Sequence, residues 1–522
     1  MLLHSRSSKK LNHSMVDTSA NNKRITKNTI FLYIRMFFVL IINLYTSRVL
    51  LNALGVEDYG IYNVVAGFVA LFGFLNATLS SSVQRFYNYE GTKNGCEGFQ
   101  NVYITSLLTH IIIAVAAFGL LETFGLWYIN KVMVMPSDRL FAASILFQMS
   151  SLSMILMTIQ IPFVGAIMAK ERMDFYAIVS IFDVIFRFII ALIISLTDYD
   201  SLFIYGILLF GVSLVNFSLY VGYCKTKFQE MKLRRYFDKQ VFRSMMSFSG
   251  WNLVGTLVFM LKGQGINMLL NIFFGPVINA ARGVAYQVNG AISSFTSNIF
   301  VAFGPQVVKS YADGNITRIK QMMFTESKIC FSLIAIIIVP VVLEIDYLLY
   351  LWLGDAVPEH TNIFAILVLI DSLICTLNTP CTQIVQATGK IKFYQIGSSI
   401  VNLMLLPLAW IFLMLGFSAE CAFIVTIFVS CVNQVVCLYF ANKQIAFGIL
   451  CYLKEIVVKC SAFILFLPIL PVIVHMAFSV GFFKLIMVGL ASVISGLALT
   501  YGIMFGQDER IAVRNLVKAK IG

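Results

Sequence analysis

The sequence predicts an all-α integral membrane protein of about fourteen transmembrane helices. They form two repeated six-helix bundles followed by two further helices. Three observations lead there: the composition, the spacing of the apolar runs, and a match of the chain to itself. Of 522 residues, 59% are hydrophobic and 12% charged, and the mean hydropathy is +0.86. A soluble domain carries roughly a quarter charged residues, so this chain cannot clothe a water-facing surface. Apolar blocks such as 30–51, 61–79 and 456–476 each approach the ~20 residues that a helix needs to cross the hydrocarbon layer. They do not alternate in polarity as the ~10-residue strands of a β-barrel do. Helices then remain as the way to satisfy every backbone donor and acceptor in lipid.

In chain order, spans are expected near 29–51, 60–84, 100–128, 140–169, 175–196, 202–223, 247–273, 277–307, 324–350, 363–388, 393–416, 420–441, 456–477 and 482–505. The resulting plan has a polar tail (1–28), an N-terminal six-helix bundle (29–224) and a basic linker (225–246). A C-terminal six-helix bundle (247–446), two extra helices (447–506) and a basic tail (507–522) follow. Residues 1–28 hold no apolar run ahead of the first span, which predicts no cleaved leader.

Charge sets the expected topology. Alternate loops hold about thirty of the lysines and arginines. They include Lys9–Lys27, Arg85–Lys93, Lys170–Arg172, Lys225–Arg243, Lys309–Lys328, Lys390–Lys392, Lys443–Lys459 and Arg510–Lys520. The opposite loops offer Lys131, Arg139 and Lys484 beside acids such as Glu57, Asp58, Asp198, Asp200, Asp355 and Glu359. This asymmetry predicts cytoplasmic termini. It also accounts for the net charge of +13 without nucleic-acid binding, which needs a basic soluble surface. Ten cysteines and five histidines lack paired or metal-ligand spacing, so no metal, cofactor or disulfide framework is expected.

The chain matches itself at a period of roughly 220 residues. Leu50-Leu51-Asn52 followed by Gly55 returns as Leu269-Leu270-Asn271 followed by Gly275. Pro162, Ala169, Phe175-Tyr176 and Ile178 return as Pro380, Ala387, Phe393-Tyr394 and Ile396, and Arg172 returns as Lys390. An even number of helices per repeat makes the repeats parallel. Such architectures carry substrate near the midplane between the halves and work by alternating access.

The charges inside the spans are the functional candidates. An arginine or lysine at the bilayer centre costs roughly 2.5–3.5 kcal/mol, yet Arg35, Arg48, Arg187, Lys262 and Arg282 all fall within spans. Lys262 is too deep to snorkel and reads as cavity-lining. Arg187 follows Asp183 by one helical turn, which suggests an internal ion pair or a part in cation coupling. Arg35, Arg48 and Arg282 lie nearer the ends, where snorkelling competes with a binding role. Asn279, Arg282, Tyr286, Asn289, Ser293 and Ser297 recur every three or four residues on one helical arc. Gln264, Asn267 and Asn271 share a face of the preceding helix. Helix–helix hydrogen bonding explains a few such residues, whereas a water-filled groove explains them together. That groove would be cationic and suited to an anion. Asp371, the other deep acid, is a candidate with Asp183 for H⁺ or Na⁺ coupling.

Tyr45-Thr46-Ser47-Arg48, the stretch Leu54-Gly55-Val56-Glu57-Asp58-Tyr59-Gly60-Ile61-Tyr62-Asn63, and Arg85 together carry a resemblance. This pattern resembles the N-terminus of bacterial polysaccharide-biosynthesis membrane proteins. These are the Wzx-type O-antigen and capsule flippases of the multidrug/oligosaccharidyl-lipid/polysaccharide (MOP) exporter superfamily. The resemblance implies a MATE/MOP-like pair of bundles in the inner membrane. It implies an undecaprenyl-pyrophosphate-linked oligosaccharide as cargo, flipped from the cytoplasmic to the periplasmic leaflet. Polysaccharide polymerase and glycosyltransferases are the implied partners, alongside membrane lipids. A pyrophosphate suits arginine and lysine donors, so Arg35, Arg48, Lys262, Arg282, Gln264, Asn267 and Asn289 are expected to bind it. Asp183, Arg187 and Asp371 are expected to serve coupling.

Two other readings compete. A multidrug antiporter with cationic cargo needs acids along its first helix, where this chain has Arg35 and Arg48 and no acid. A membrane polymerase or ligase needs a large catalytic outer loop, and the outer loops here reach only about ten residues. An enzyme is therefore not expected.

Overall fold

The computed structural model describes residues 38–232, 234, 237–507, 509–511 and 514. These residues are predominantly helical, with no strand among them. In order the helices are α1 (Phe38–Ala70), α2 (Gly73–Leu120), α3 (Leu126–Lys131), α4 (Leu140–Ala169), α5 (Met173–Ser195) and α6 (Ser201–Lys227). They continue with α7 (Lys239–Phe274), α8 (Pro276–Ala312), α9 (Ile316–Leu343), α10 (Ile345–Leu353), α11 (Thr361–Thr388) and α12 (Lys392–Leu403). Last come α13 (Leu405–Met414), α14 (Glu420–Ile445), α15 (Ile449–Tyr452), α16 (Val458–Phe466), α17 (Ile469–Ala477) and α18 (Phe482–Leu499).

Twelve helices among the described residues are long and apolar enough to cross a membrane, so the expected count of fourteen is not confirmed. Two expected spans lack a counterpart among the twelve, for identifiable reasons. The span at 60–84 is divided between the end of α1 and the start of α2. The span at 277–307 falls on α8, whose own polar stripe dilutes its hydropathy. Large apolar side chains on the outer faces, such as Ile112, Val115, Phe141, Ile424 and Val435, are more than 50% exposed. An aqueous surface does not tolerate such density, and lipid does.

The chain divides into two compact units, and the division does not follow sequence order. Among the described residues, one contains 38–54, Phe72–Lys131 and Pro136–Leu253, and the other contains Gly55–Leu71, Val132–Met135 and the described residues from Val254 onward. In the first, α2 packs on α4 and α4 on α6 around Val83, Tyr87, Phe99, Tyr103, Ile161, Phe163 and Tyr220. In the second, α11 packs on α8, α9 and α14. Its core runs from Met323 and Phe331 through Cys381 and Ile384 to Tyr452 and Phe463, so the C-terminal helices share it.

The repeat has a backbone signature. Left-handed residues occur at Gly55 (φ 75), Gly95 (φ 59) and Glu171 (φ 55), and again at Gly275 (φ 78), Gly314 (φ 68) and Gly389 (φ 71). Each pair lies roughly 220 residues apart, so the positive-φ joints, whether inside a helix or between two, recur at the period of the sequence match. Gly275 is followed by Pro276 in the first turn of α8, a residue whose missing N–H and fixed φ suit a helix start. In α1, the Gly60 backbone lies against the carbonyl of Pro276, leaving no space for a Cβ.

Charged pairs mark the ends of each unit. In the first, Arg139 makes two hydrogen bonds to Asp200, at 2.8 and 3.1 Å. Burial pushes the Asp200 carboxyl up, but Arg139 and the Phe203 N–H outweigh it and hold it below its ordinary value. Lys170 bonds Glu230 at 2.8 Å and holds that carboxyl low. In the second unit, Lys328 pairs with Glu509 at 2.9 Å, while His475 lies 2.8 Å and Lys484 3.5 Å from the buried Glu344. Residues expected on opposite membrane faces do not mix in these pairs.

Candidate functional site

The candidates separate by unit. Arg48, Asp183 and Arg187 lie in the first, and Lys262, Gln264, Asn267, Arg282, Asn289 and Asp371 in the second. Arg35 lies outside the described residues, as does the side chain of Ser297.

In the first unit Arg187 Nε donates to Asp183 Oδ2 at 3.0 Å, one turn away on α5. Asn216 of α6 donates to the other oxygen at 2.6 Å. The pair is thus a hydrogen-bonded knot between α5 and α6, with side chains 37% and 26% exposed. Arg48 is half-buried on α1, three residues after Tyr45, whose ring packs 5.5 Å from Phe188 of α5.

In the second unit the polar residues of α7 and α8 split into two groups. The first group is buried and structural. Asn267 donates to the carbonyl of Asn63 at 3.0 Å, and Asn279 donates to the Asn267 carbonyl at 2.7 Å and its side-chain oxygen at 2.9 Å. Asn271 clamps the backbone of Val134, accepting from its N–H at 2.9 Å and donating to its carbonyl at 3.2 Å. Gln264 packs with Asn267 over Gly67 of α1. Arg282 is only 7% exposed. It donates to the Gly263 carbonyl at 2.7 Å and lies 4.3 Å from the centre of the Tyr286 ring. These contacts correct the expectation of one continuous wet stripe. Asn267, Asn271, Asn279 and Arg282 bond helix to helix, as buried polar groups in a membrane protein must.

The second group clusters around Lys262, half-buried in the middle of the apolar stretch of α7; Asn289, Ser293, Asp371 and Ser372 are likewise half-buried, and Ser430 is buried. Its ammonium donates to Ser430 Oγ of α14 at 3.2 Å. Asp371 of α11 lies beside both Lys262 and Ser430. No direct ion pair joins Lys262 to Asp371 among the described residues. Asp371 Oδ1 is buried without a hydrogen-bond partner, and Oδ2 faces Cys375 Sγ at 3.9 Å. The next residue, Ser372, lies 3.2 Å from Ser293 of α8, which in turn donates to Asn289 at 3.2 Å. Lys262, Asp371 and Ser430 form one polar cluster, and Ser372, Ser293 and Asn289 form a second, joined to it through consecutive positions of α11; together they are the Lys262 patch. Asp371, expected to serve coupling, thus stands beside Lys262, expected to bind the anion.

Sequence reasoning missed Ser430 and Ser372, whose hydroxyls complete the patch. Cys375 was legible, being one turn after Asp371. It also missed Glu326, fully buried on α9, because that residue sits where a basic loop was expected to become a span. Such a patch can do two things. A lysine whose partner is a neutral hydroxyl is able to take an anion, and a nearby carboxylate is able to exchange a proton or a monovalent cation.

No family profile matches this sequence, and no curated protein matches it. Solved structures do. The lipid II flippase MurJ, in an inward closed conformation, superposes with a TM-score of 0.68 at 14% identity, covering 94% of this chain and 100% of MurJ. An inward-facing MATE-family multidrug resistance transporter of the MOP superfamily gives 0.67 at 13% identity, covering 80% and 98%. The MATE multidrug transporter DinF-BH, in complex with R6G, gives 0.59 at 16% identity, covering 82% and 97%. The chain is thus a multi-pass, all-helical membrane protein with the fold shared by MATE transporters and the MurJ flippase.

Proposed function

We propose that this chain is a flippase of the inner membrane. It moves an undecaprenyl-pyrophosphate-linked oligosaccharide, a repeat unit of O-antigen or capsule, from the cytoplasmic to the periplasmic leaflet by alternating access. The observation that carries this reading is Lys262: a cation in mid-span whose hydrogen-bond partner is a neutral hydroxyl at 3.2 Å. A pyrophosphate offers charge-assisted hydrogen bonds that a serine does not. Asn289, Ser293, Ser372 and Ser430 supply neutral donors around it. The likeness to a lipid II flippase across 94% of the chain supports the same reading, since the MATE likenesses stop at about four-fifths. Asp371 gives the cycle a means of coupling. An anion on Lys262 repels the carboxylate beside it, so cargo binding favours uptake of H⁺ or a monovalent cation at Asp371.

The test is complementation. In a strain lacking the gene, Lys262→Gln at equal expression should abolish surface glycan and leave lipid-linked repeat units on the cytoplasmic side. Lys262→Arg should restore part of the export. Full export by Lys262→Gln would refute the assignment.

A cation-coupled multidrug antiporter is the second reading, favoured by Asp371 lying in the patch. Asp371-dependent efflux of a cationic dye, with surface glycan intact in the deletion strain, would replace the first reading by this one.

A further inference from the structure

A separate cavity lies in the first unit, at the end that carries Lys170 and Lys232. It has a volume of about 500 Å³ and is lined by Arg85, Asn88, Tyr89 and Lys93. We propose that it binds the phosphate of a membrane lipid headgroup. The inference rests on membrane residence and not on the cargo proposed above.

The four lining residues together span about two turns of α2, upstream of its break at Gly95. At that spacing they share a face. The opposite face is anchored. Tyr87 is 1% exposed, donates to the Pro162 carbonyl at 3.1 Å and stacks on Phe99 at 4.3 Å. Lys170 covers the same Phe99 ring at 4.7 Å, and Gln100 donates to the Lys232 carbonyl at 3.0 Å. The cavity is thus carried on a fixed wall. Its depth follows from the sequence around it: the polar run 85–98, with Arg85, Glu90, Lys93 and Glu97, lies between the apolar runs 61–79 and 102–121, so the four residues stand at the boundary between hydrocarbon and water.

Their chemistry fits a lipid phosphate. Arg85 presents a fork of donors matched to phosphate oxygens, Asn88 adds a neutral amide donor, and Lys93 adds a point charge. Tyr89 is 58% exposed, and the Lys93 ammonium lies 5.8 Å from its ring centre. An exposed aromatic ring at this level belongs with headgroup and glycerol. The segment's acids do not line the cavity, and Glu90 is engaged by Asn94 at 2.7 Å. Topology alone requires basic residues near this end, but not a concave set of two cations, an amide and an exposed ring.

The phosphate has two sources, a bulk anionic lipid or an isoprenoid-linked pyrophosphate. The test uses the full chain in detergent with lipid retention read by native mass spectrometry. The probes are phosphatidylglycerol, phosphatidylcholine and undecaprenyl pyrophosphate. Phosphatidylglycerol should bind the unaltered chain more tightly than phosphatidylcholine. Arg85→Gln and Lys93→Gln should each weaken it about fivefold, the effect of one charge at a lipid surface. Arg85→Lys with Lys93→Arg should keep most of it. Displacement of phosphatidylglycerol by undecaprenyl pyrophosphate at equal concentration would identify the isoprenoid source; persistence would identify the bulk lipid. Unchanged retention in a folded Arg85→Gln/Lys93→Gln variant would overturn the proposal, whatever that variant does in glycan export.

Discussion

Two asparagines on one helix face now have different fates. Asn279 and Asn289 both belong to the polar stripe of α8, but Asn279 is fully buried and bonded to Asn267, while Asn289 is half-buried in the Lys262 patch. Asn279→Ala leaves buried acceptors on Asn267 without their donor, which costs roughly 1–3 kcal/mol. It should lower thermal stability in detergent, whereas Asn289→Ala should stay within about 0.5 kcal/mol of the parent and lose transport instead. Equal stability losses would remove the distinction. At the Lys262 patch, neutralising both charges should not simply add the single effects, since the groups interact. Lys262→Gln/Asp371→Asn should accumulate in the membrane at least as well as Lys262→Gln alone, because it leaves no lone carboxylate at depth. Lower accumulation of the double variant would show that the two groups do not act on each other.

At the scale of helices, α1 meets the start of α8 at a close junction. Gly60→Val places a branched side chain against the Pro276 carbonyl. Thermal unfolding of the variant in detergent should fall well below the parent, by an overpacking cost of about 1–3 kcal/mol or more. The ends of the helices respond to acid. Asp200 and Glu230 both have folded carboxyls held below their ordinary values. A depressed carboxylate stabilises the fold above its unfolded pKa, near 4, and loses that contribution as pH falls through the folded value. The melting temperature should therefore drop below about pH 4. Glu230→Gln should flatten part of that drop; an unchanged acid profile would show that the Lys170 pair contributes nothing. The contribution is modest, as expected of partly exposed pairs.

At the scale of the whole molecule, helical class and helix order were legible because lipid enforces them through length and hydropathy alone. The repeat was legible too, since glycine at a left-handed joint leaves a residue-level trace, as Gly55 and Gly275 do. The site was legible in part. Lys262 and Asp371 stand out one at a time as charges in apolar runs, but their proximity depends on how α7, α11 and α14 pack, which no periodicity encodes. The polar stripe misled for a related reason: spacing places Asn279 and Asn289 on one face, and only packing decides whether that face meets a helix or a cavity. The C-terminal helices α15–α18 share the core of α9, and Lys484 and His475 lie against the buried Glu344. Truncation after residue 446 should strip that core and leave an unmatched acid, giving a chain that is degraded rather than one that transports slowly. Stable accumulation of the truncated chain would contradict this.

The assignment of Gly55–Leu71 and Val132–Met135 to the second unit bears on how the protein is made. Asn63 and Val134 accept or donate the hydrogen bonds of Asn267 and Asn271, yet a ribosome delivers them well over a hundred residues earlier. Early segments must wait in the membrane with their polar backbone partners still unsynthesised. A gene cut at the basic linker would consequently yield a second piece that lacks part of its own interior, and would recover only when the first piece is supplied in the same membrane.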